Sequence, residues 1–200
     1  MKSTKDIAYT ERLENENTWW KRLLDVQRPY RANLHKLDLG YVLDIGCGIG
    51  RNLKNLQILG VRALGIDHNE HSVKEAIHRG FDALDASEFE AQYNNKRDIF
   101  DSFLFSHVLE HMTSSQAASL IHDYLPLLKP NGKIVMITPQ ERGFASDPTH
   151  VEFMDFLALN KILEKCGLKS DLAYSFPFPR FVGRIFKYNE FVVSGRNPGE

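Results

Sequence analysis

Short apolar runs alternate with longer stretches suited to helices through most of the 200-residue chain. Strands and helices that alternate at this spacing form a parallel sheet with helices on both faces. Ligands of such sheets bind at the carboxyl ends of the strands. The predicted strands are 41–45, 63–67, 81–85, 100–106 and 133–138, and the predicted helices are 50–59, 69–79, 106–112, 114–128 and 155–166.

Both ends of the chain depart from this alternation. From residue 171 onward, two aromatic and β-branched runs flank a Pro-rich join, which predicts an antiparallel hairpin on the sheet edge. The expected fold class is therefore α/β, a Rossmann-like doubly wound, mostly parallel seven-stranded sheet with a C-terminal antiparallel hairpin. Residues 11–37 predict helix, with Pro29 marking a break or a second start. We predict an N-terminal helical cap over 1–40 and one ligand-binding domain over 41–200.

The composition disfavours several classes of protein. Cys47 and Cys166 lie far apart with no signal peptide before them, which argues against a disulfide framework and predicts a cytoplasmic location. No apolar run approaches the roughly 20 residues of a membrane span. The formal net charge of -1 offers no basic excess for duplex DNA. A local RNA groove stays open because the arginines of residues 12–31 could cluster, although a solvated helix face is the preferred interpretation.

The segment VLDIGCGIGRNL, residues 42–53, predicts a strand joined to a helix through a glycine-rich loop. Glycine adopts backbone dihedrals closed to other residues and lets a ligand touch bare backbone at a helix N-terminus. A nicotinamide-dinucleotide fingerprint is G-x-G-x-x-G, but here the spacing is G-x-G-x-G after Asp44, and position 51 is Arg. The loop therefore disfavours a nicotinamide oxidoreductase. Its glycines are Gly46, Gly48 and Gly50.

With this loop the sequence resembles the class I S-adenosylmethionine-dependent methyltransferases, over about residues 41–170. The first motif of that family is an acidic residue followed by G-x-G-x-G after the first strand. The resemblance implies that the loop passes under the methionine and ribose of the cofactor, with Asp44 near its amino end. A carboxylate close to a positively charged sulfonium is electrostatically favourable.

Acidic residues at the ends of the next two strands are candidates for the rest of the cofactor. Asp67 ends the second strand, where a carboxylate can accept two hydrogen bonds from a ribose diol, and a helix cap is the alternative. The resemblance implies that His68 lies over the adenine. It also implies that Asp85 and Ala86 meet the adenine amino group and ring, with a plain helix cap as the alternative for Asp85.

The segment FSHVLEHM, residues 105–112, brings three side chains to one helix face if it is helical, because positions i, i+3 and i+4 are neighbours. The fourth strand ends at Ser106, a candidate cofactor contact, so His107 is expected at the start of a helix beside the reactive end of the cofactor. The helix dipole disfavours an imidazolium there, which leaves a neutral ring that can accept a proton or bind a metal. The three side chains are His107, Glu110 and His111.

The resemblance also supplies a metal option. Small-RNA 2′-O-methyltransferases and some quinone O-methyltransferases place Glu-x-x-Glu-His here and bind a divalent cation, whereas this chain begins the pattern with His107. His150 in DPTHVEF stands where the small-RNA subset has its fourth ligand. Two or three imidazoles with one carboxylate suit Zn, Mn or Fe better than an all-oxygen Mg site, and Mg stays open through bridging substrate oxygens. Proton transfer by a His, metal-assisted positioning and structural histidines remain the three alternatives.

These patterns together predict an S-adenosylmethionine-dependent methyltransferase. The expected reaction is O-methylation of a small metabolite, sugar or lipid-linked acceptor at a His-rich site formed by His107, Glu110, His111 and His150. Polar side chains of the loop 138–155 are candidate acceptor contacts because loops at the carboxyl edge of a sheet carry function. The alternative is a catalytically inactive protein of the same fold that binds the cofactor and interacts with a partner.

Overall fold

The computed structural model of the chain describes residue 25 and residues 27–198. The chain divides into two compact units, an N-terminal unit that ends at Asn94 and a C-terminal unit that begins at Asn95. Most of the predicted helix 11–37 lies outside the described residues. Its described part is helix α1, Arg28–Lys36, which has Pro29 in its first turn, so a helix start at this proline is confirmed. The cap over 1–40 stays a prediction.

In the N-terminal unit, strands and helices alternate as predicted, with one further helix, Ala86–Tyr93, that the sequence did not predict. The three strands pair in parallel in the order β3-β2-β1. Every residue of β1 is buried, as expected for a parallel strand covered on both faces. The elements after α1 are β1 (Val42–Ile45), α2 (Arg51–Ile58), β2 (Ala63–Asp67), α3 (Glu70–His78), β3 (Ala83–Asp85) and α4 (Ala86–Tyr93).

Side chains that accept backbone hydrogen bonds fix the starts of two of these helices. Asn69 caps α3 by accepting from the backbone N–H groups of His71 and Ser72. Asp85 and Glu88 form a capping box at the start of α4. Because the first N–H groups of a helix have no partner within it, these caps set the boundary between each strand and the helix that follows.

In the C-terminal unit, the strand order is β4-β5-β7-β6. Strands β4 and β5 are parallel, and β7 runs antiparallel to both β5 and β6. The predicted C-terminal hairpin is therefore confirmed. The elements are β4 (Phe100–Ser106), α5 (Ser114–Tyr124), β5 (Leu128–Pro139), α6 (Glu141–Phe144), α7 (Phe156–Lys165), β6 (Lys169–Phe176) and β7 (Glu190–Arg196), with 3₁₀ turns at Leu109–His111, Leu125–Leu127 and Arg180–Arg184.

The seven described strands, parallel among β1, β2 and β3 and between β4 and β5, and antiparallel where β7 pairs, confirm the predicted fold class. The core of the C-terminal unit contains Phe103, Phe105, Met136 and Phe191, each fully buried. Burying a side chain of this size contributes about 1.5–3 kcal/mol to the stability of the folded state. This packing stabilises the strands, whose ends carry the candidate site residues. Among the described residues, no helix has both the length and the apolar character needed to cross a membrane.

The predicted helix over 106–112 is wrong. Only Leu109–His111 form a single 3₁₀ turn, and the φ angle of His107 is +60°, in the left-handed region that an α-helix excludes. The backbone N–H of His107 instead donates to the carbonyl oxygen of Ile137 on β5, at 2.9 Å. Since this bond continues the pairing of β4 with β5, residue 107 stays at the strand end and the three side chains do not share a helix face.

Candidate functional site

The glycine-rich loop in the N-terminal unit is held closely against the end of β2. The backbone N–H groups of Gly46 and Cys47 donate to the carbonyl oxygen of Ile66, at 2.8 and 3.0 Å. Gly46, Gly48 and Gly50 all have positive φ angles, which other residues adopt only at a cost. The loop therefore exposes bare backbone at the start of α2, as the sequence predicts.

Asp44, on β1, is a fully buried carboxyl group. Neither of its oxygens has a hydrogen-bond partner of normal geometry among the described residues, although the Asn52 side chain lies close enough to favour the charged form. Burial, followed by the negative charge of Asp67, raises the pKa of Asp44 to about 7. Buried polar groups normally have hydrogen-bond partners. The carboxyl oxygens of Asp44 could therefore accept a hydrogen bond from a ligand, or lie beside a positively charged part of it.

Asp67 ties the loop to the start of α3. Its Oδ2 atom accepts from the backbone N–H of Gly48 at 2.8 Å, and Oδ1 accepts from that of Asn69 at 2.8 Å. The half-exposed ring of His68 lies beside it, with Nδ1 3.5 Å from Oδ1. Because each carboxylate oxygen has a second lone pair, Asp67 keeps capacity for a ribose hydroxyl, and that role stays a prediction.

Asp85 caps helix α4, which is the alternative to adenine binding that the sequence left open. Its Oδ1 atom accepts from the Ser87 hydroxyl and from the N–H groups of Ser87 and Glu88. The bonds from Ser87 and Glu88 lower the pKa of the Asp85 carboxyl. Ala86 is the first residue of α4, where N–H groups lack helical partners. The helix cap is therefore present, and the adenine contacts of Asp85 and Ala86 stay predictions.

Cys47 packs under the loop. Its side chain is buried with Leu53 and Val73, and burial strongly raises the pKa of its thiol. A Cβ atom placed on Gly65 would lie 2.7 Å from Sγ of Cys47, which shows how closely β2 approaches. A thiol that resists ionisation is a poor nucleophile, so this position supports close packing.

In the C-terminal unit, Glu110, His111 and His150 converge. One potential ligand atom from each lies within 4.8 Å of the other two. The 3₁₀ turn supplies Glu110 and His111, and the loop before α7 supplies His150. The backbone N–H of Val151 donates to the carbonyl oxygen of Glu110 at 2.7 Å, which connects these two segments.

Hydrogen bonds orient both rings of this cluster. The Nδ1 atom of His150 donates to the carbonyl oxygen of Phe144 at 2.7 Å, so Nε2 faces Glu110, 4.0 Å from its Oε1. The Nδ1 atom of His111 lies 3.3 Å from the carbonyl oxygen of Thr149, and burial lowers the pKa of His111. Glu110 is fully buried, and its Oε2 atom has no hydrogen-bond partner among the described residues.

His107 lies outside this cluster of ligand atoms. Its Nε2 atom is 2.8 Å from Oε1 of Glu190, and its Nδ1 atom is 3.2 Å from Oε1 of Glu110. Burial opposes the charged ring, but these carboxylates outweigh it and raise the pKa of His107 well above its ordinary value. The predicted neutral ring is therefore wrong, because residue 107 does not begin a helix. Its side chain is 42% exposed, so water screens part of this attraction.

The pattern did not predict Glu190. This residue begins β7 and is 83 positions from His107 in the chain, so no local spacing connects them. The one sequence signal is an acidic residue at the start of an otherwise apolar and β-branched strand, EFVVSGR. A buried carboxylate in such a place requires a partner, which here is the His107 ring.

Gln140, in the predicted acceptor loop, has a structural role. Its Nε2 atom donates to the Ser175 hydroxyl at 2.7 Å and to the Glu190 carbonyl oxygen at 2.8 Å. Its Oε1 atom accepts from the Asn189 side chain at 2.9 Å. The side chain is fully buried, and both its amide nitrogen and its amide oxygen make hydrogen bonds. Gln140 therefore connects β6 and β7 and does not face solvent.

A family model for the methyltransferase domain matches residues 20–172, which is most of the chain. The chain belongs to the methyltransferase family. This match confirms the predicted membership of the S-adenosylmethionine-dependent methyltransferases, and it covers both the glycine-rich loop and the histidine cluster.

Individual relatives agree with this family. A ubiquinone biosynthesis O-methyltransferase of Rattus norvegicus mitochondria is 27% identical over 84% of this chain and 61% of its own length. The chain thus spans about six-tenths of that methyltransferase. Among solved structures, a SAM-dependent methyltransferase from Archaeoglobus fulgidus has a TM-score of 0.69 at 21% identity, covering 96% of this chain and 100% of that one.

A second solved methyltransferase carries the demethylated cofactor. The 1,6-didemethyltoxoflavin-N1-methyltransferase of Burkholderia thailandensis, with bound S-adenosylhomocysteine, has a TM-score of 0.61 at 17% identity and covers 98% of this chain and 91% of its own. At these identities the solved structures establish the Rossmann-like fold of this methyltransferase. Its cytoplasmic location stays a prediction.

Proposed function

We propose that this chain transfers a methyl group from S-adenosylmethionine to a hydroxyl oxygen of a small acceptor, and that Glu110, His111 and His150 organise the acceptor. The observation that carries the proposal is the convergence of their three potential ligand atoms within 4.8 Å. The rat relative is named a ubiquinone biosynthesis O-methyltransferase. We therefore infer that the acceptor is a phenolic hydroxyl on a lipid-linked ring, within the predicted class of small or lipid-linked acceptors.

The residues around the glycine-rich loop fit the cofactor. Bound S-adenosylmethionine supplies an electrophilic methyl group on a cationic sulfonium. Asp44 would accept from, and electrostatically favour, the cationic part of the cofactor, because its buried carboxyl group lacks a full hydrogen bond. Gly46 and Gly48 leave the backbone open to close approach. The full proposed set in the N-terminal unit is Asp44, Gly46, Gly48, Gly50, Asp67, His68, Asp85 and Ala86. The cofactor contact of Ser106, at the end of β4, stays a prediction.

The cluster in the C-terminal unit fits a divalent cation. A cation supplies Lewis acidity, which lowers the pKa of an acceptor hydroxyl. Carbonyl oxygens hold Nδ1 of both rings, an arrangement that orients metal-binding histidines in proteins. The buried Oε2 atom of Glu110, which has no hydrogen-bond partner among the described residues, would gain the cation as its partner. We assign Glu110, His111 and His150 as ligands and leave His107 outside the set, because carboxylates occupy both of its ring nitrogens.

A second candidate role for the same cluster is proton transfer without a metal. The lowered pKa of His111 favours this role, because the ring is neutral near pH 7 and can accept the proton of an acceptor hydroxyl. In that case His111→Ala would lower kcat by about 10²–10⁴, and a chelator would leave the wild-type rate unchanged.

Metal content and turnover distinguish these two roles. We expect purified wild-type chain to bind Mn²⁺ or Zn²⁺ and a chelator to lower turnover until the cation is restored. His150→Ala should weaken cation binding at least tenfold, as measured by titration of the metal alone. His122→Ala, on the exposed face of α5, is the matched control and should bind as wild type does. Full turnover after chelation would leave proton transfer by His111 as the role.

The proposed reaction is tested with methyl-labelled S-adenosylmethionine and a soluble phenol that has two adjacent hydroxyl groups. Label on the phenolic oxygen, together with release of S-adenosylhomocysteine, is the expected result. Calorimetric titration with S-adenosylhomocysteine should show binding that Asp44→Asn weakens and that Asp82→Asn, at an exposed position, leaves unchanged. Cofactor binding without transfer to any hydroxyl acceptor would instead support the inactive binding protein.

A further inference from the structure

The segment between β6 and β7 exposes an unusual concentration of apolar side chains. Ten large apolar side chains are exposed among the described residues, and five of them lie within residues 178–188. Phe181 is 70% exposed and Ile185 is 78% exposed. Scattered exposed apolar residues are common, but a contiguous group marks a surface that another molecule covers. We call residues 178–188 the aromatic-basic segment.

This segment is ordered by its own contacts. The Phe178 and Phe186 rings meet edge to face with centroids 5.4 Å apart, and the Phe186 and Tyr188 rings do so at 5.6 Å. The Asn189 side chain accepts from the backbone N–H of Phe178 at 2.9 Å. The apolar side chains are thus presented on a fixed surface, which lowers the entropic cost of binding.

The charge of the aromatic-basic segment is positive, although the whole chain has a formal net charge of -1. It contains three basic residues and no acidic residue. Arg180 pairs with Glu141 at 2.8 Å. Arg184 is near enough to Glu141 to help lower the pKa of that carboxyl, and Nζ of Lys187 lies 5.0 Å from the centroid of the Tyr188 ring. Among the ion pairs of the described residues, neither Arg184 nor Lys187 pairs with a carboxylate within 4.0 Å, so two positive charges lie beside the exposed rings.

We propose that the aromatic-basic segment binds the surface of a bilayer that contains anionic lipids. Aromatic rings sit at the boundary between headgroups and acyl chains, and neighbouring Lys and Arg side chains attract anionic headgroups. A second copy of this chain fits the segment less well, because a symmetric contact would bring Arg184 and Lys187 of one copy close to those of the other. The inference rests on this surface and does not depend on the proposed methyl transfer.

The test is co-sedimentation of the full chain with vesicles of phosphatidylcholine, with and without phosphatidylglycerol, in the absence of any cofactor. We expect binding only to the vesicles with phosphatidylglycerol, and we expect added salt to weaken it. Phe181→Ser/Ile185→Ser should weaken binding at least tenfold. Arg184→Gln/Lys187→Gln should weaken it by about fivefold for each charge removed, and should flatten its salt dependence.

The matched control is Ile58→Ser/Leu157→Ser, which replaces side chains that are 56% and 63% exposed elsewhere on the chain. This control should bind vesicles as the wild type does, and circular dichroism of each variant confirms folding. Absence of wild-type binding, or equal losses in both Ser pairs, would overturn the proposal. So would a wild-type dimer in sedimentation equilibrium that Phe181→Ser/Ile185→Ser dissociates while vesicle binding is absent. Methyl transfer to a soluble phenol is scored separately.

Discussion

At the scale of single residues, Asp44 combines deep burial with an unsatisfied carboxyl group. Its folded pKa of about 7 lies above the ordinary value of 3.8, so the folded state binds this proton more tightly than the unfolded chain does. Between about pH 4 and 7, the stability of the cofactor-free protein should therefore fall as the pH rises. We expect Asp44→Asn to remove this slope and to raise the free energy of unfolding at pH 8 by up to about 4 kcal/mol, measured by urea denaturation.

Asp82→Asn is the control for this effect, because residue 82 is exposed in the same unit. It should keep the wild-type dependence of stability on pH. A slope that persists in Asp44→Asn would show that another group binds the proton.

His107 provides a second test of electrostatics. We expect its ring to remain protonated above pH 8 in the wild type and to titrate nearer pH 6.5 in Glu190→Gln, since the negative charge of Glu190 is the largest of the effects that raise the pKa of His107. Because the folded pKa is raised, the contribution of this pair to stability is complete below about pH 6.5 and is lost as the pH rises through the folded value. NMR titration of the ring resonances measures the shift.

Glu164→Gln, at an exposed position of α7, should leave the titration of His107 unchanged. An unaltered pKa in Glu190→Gln would mean that Glu110 alone holds the charge on the ring. Either outcome identifies which carboxylate raises the pKa of His107.

The sequence predicted four residues as one group: His107, Glu110 and His111 from their spacing, and His150 through the family resemblance. The structure brings together the potential ligand atoms of three of them, Glu110, His111 and His150. The sequence did not predict the partner of His107, since Glu190 reaches it only through the pairing of β7 with β5. Long-range pairing of this kind leaves no local pattern in the sequence.

At the scale of elements, the joint between the glycine-rich loop and α2 is closely packed. Gly50 has a φ angle of +84°, and an added Cβ atom would lie 2.4 Å from Cδ2 of Phe81. We expect Gly50→Ala to cost about 1–2 kcal/mol for the left-handed backbone and about 1–3 kcal/mol more for overpacking, measured by urea denaturation.

Gly60→Ala separates these two costs. Gly60 also has a positive φ angle, +70°, but nothing lies within 4 Å of an added Cβ atom. This variant should therefore lose only the backbone term of about 1–2 kcal/mol. Equal losses in both variants would contradict a close contact between Gly50 and Phe81.

The sequence predicted elements well where apolar runs were continuous. Strands β2 and β4 match their predicted bounds because each run ends sharply at a polar residue. Helix α4 was not predicted, since Phe89 is its one buried residue and gives almost no amphipathic pattern. The predicted helix over 106–112 failed because pairing with β5 extends to His107, a tertiary effect that outweighs local spacing.

At the scale of the whole molecule, a ligand that binds only the folded state must raise stability. Saturation with S-adenosylhomocysteine at about 100 times its dissociation constant should add about 2.7 kcal/mol to the free energy of unfolding. Thermal unfolding with and without the ligand measures this effect. Adenosine diphosphate is the comparison ligand, and an equal shift with it would contradict a site specific for the methyltransferase cofactor.

The general class of the molecule was predictable, whereas its acceptor specificity was not. Alternating strands and helices determine the fold, and the glycine-rich loop identifies the cofactor family. The acceptor loop gave a less reliable prediction, because Gln140 is used inside the C-terminal unit and Glu141 pairs with Arg180. Polar composition alone does not distinguish a side chain that meets a ligand from one that joins two strands.

The reactivity of the Cys47 thiol can report how often the glycine-rich loop opens. Its sulfur atom is buried beneath the loop and lies 3.6 Å from the carbonyl oxygen of Gly48. A disulfide reagent should therefore modify it only when the loop opens locally. The rate of modification therefore measures how often the loop opens, and a ligand bound at the loop should lower this rate. Cys166, partly accessible in the C-terminal unit, reacts as an internal reference in the same sample.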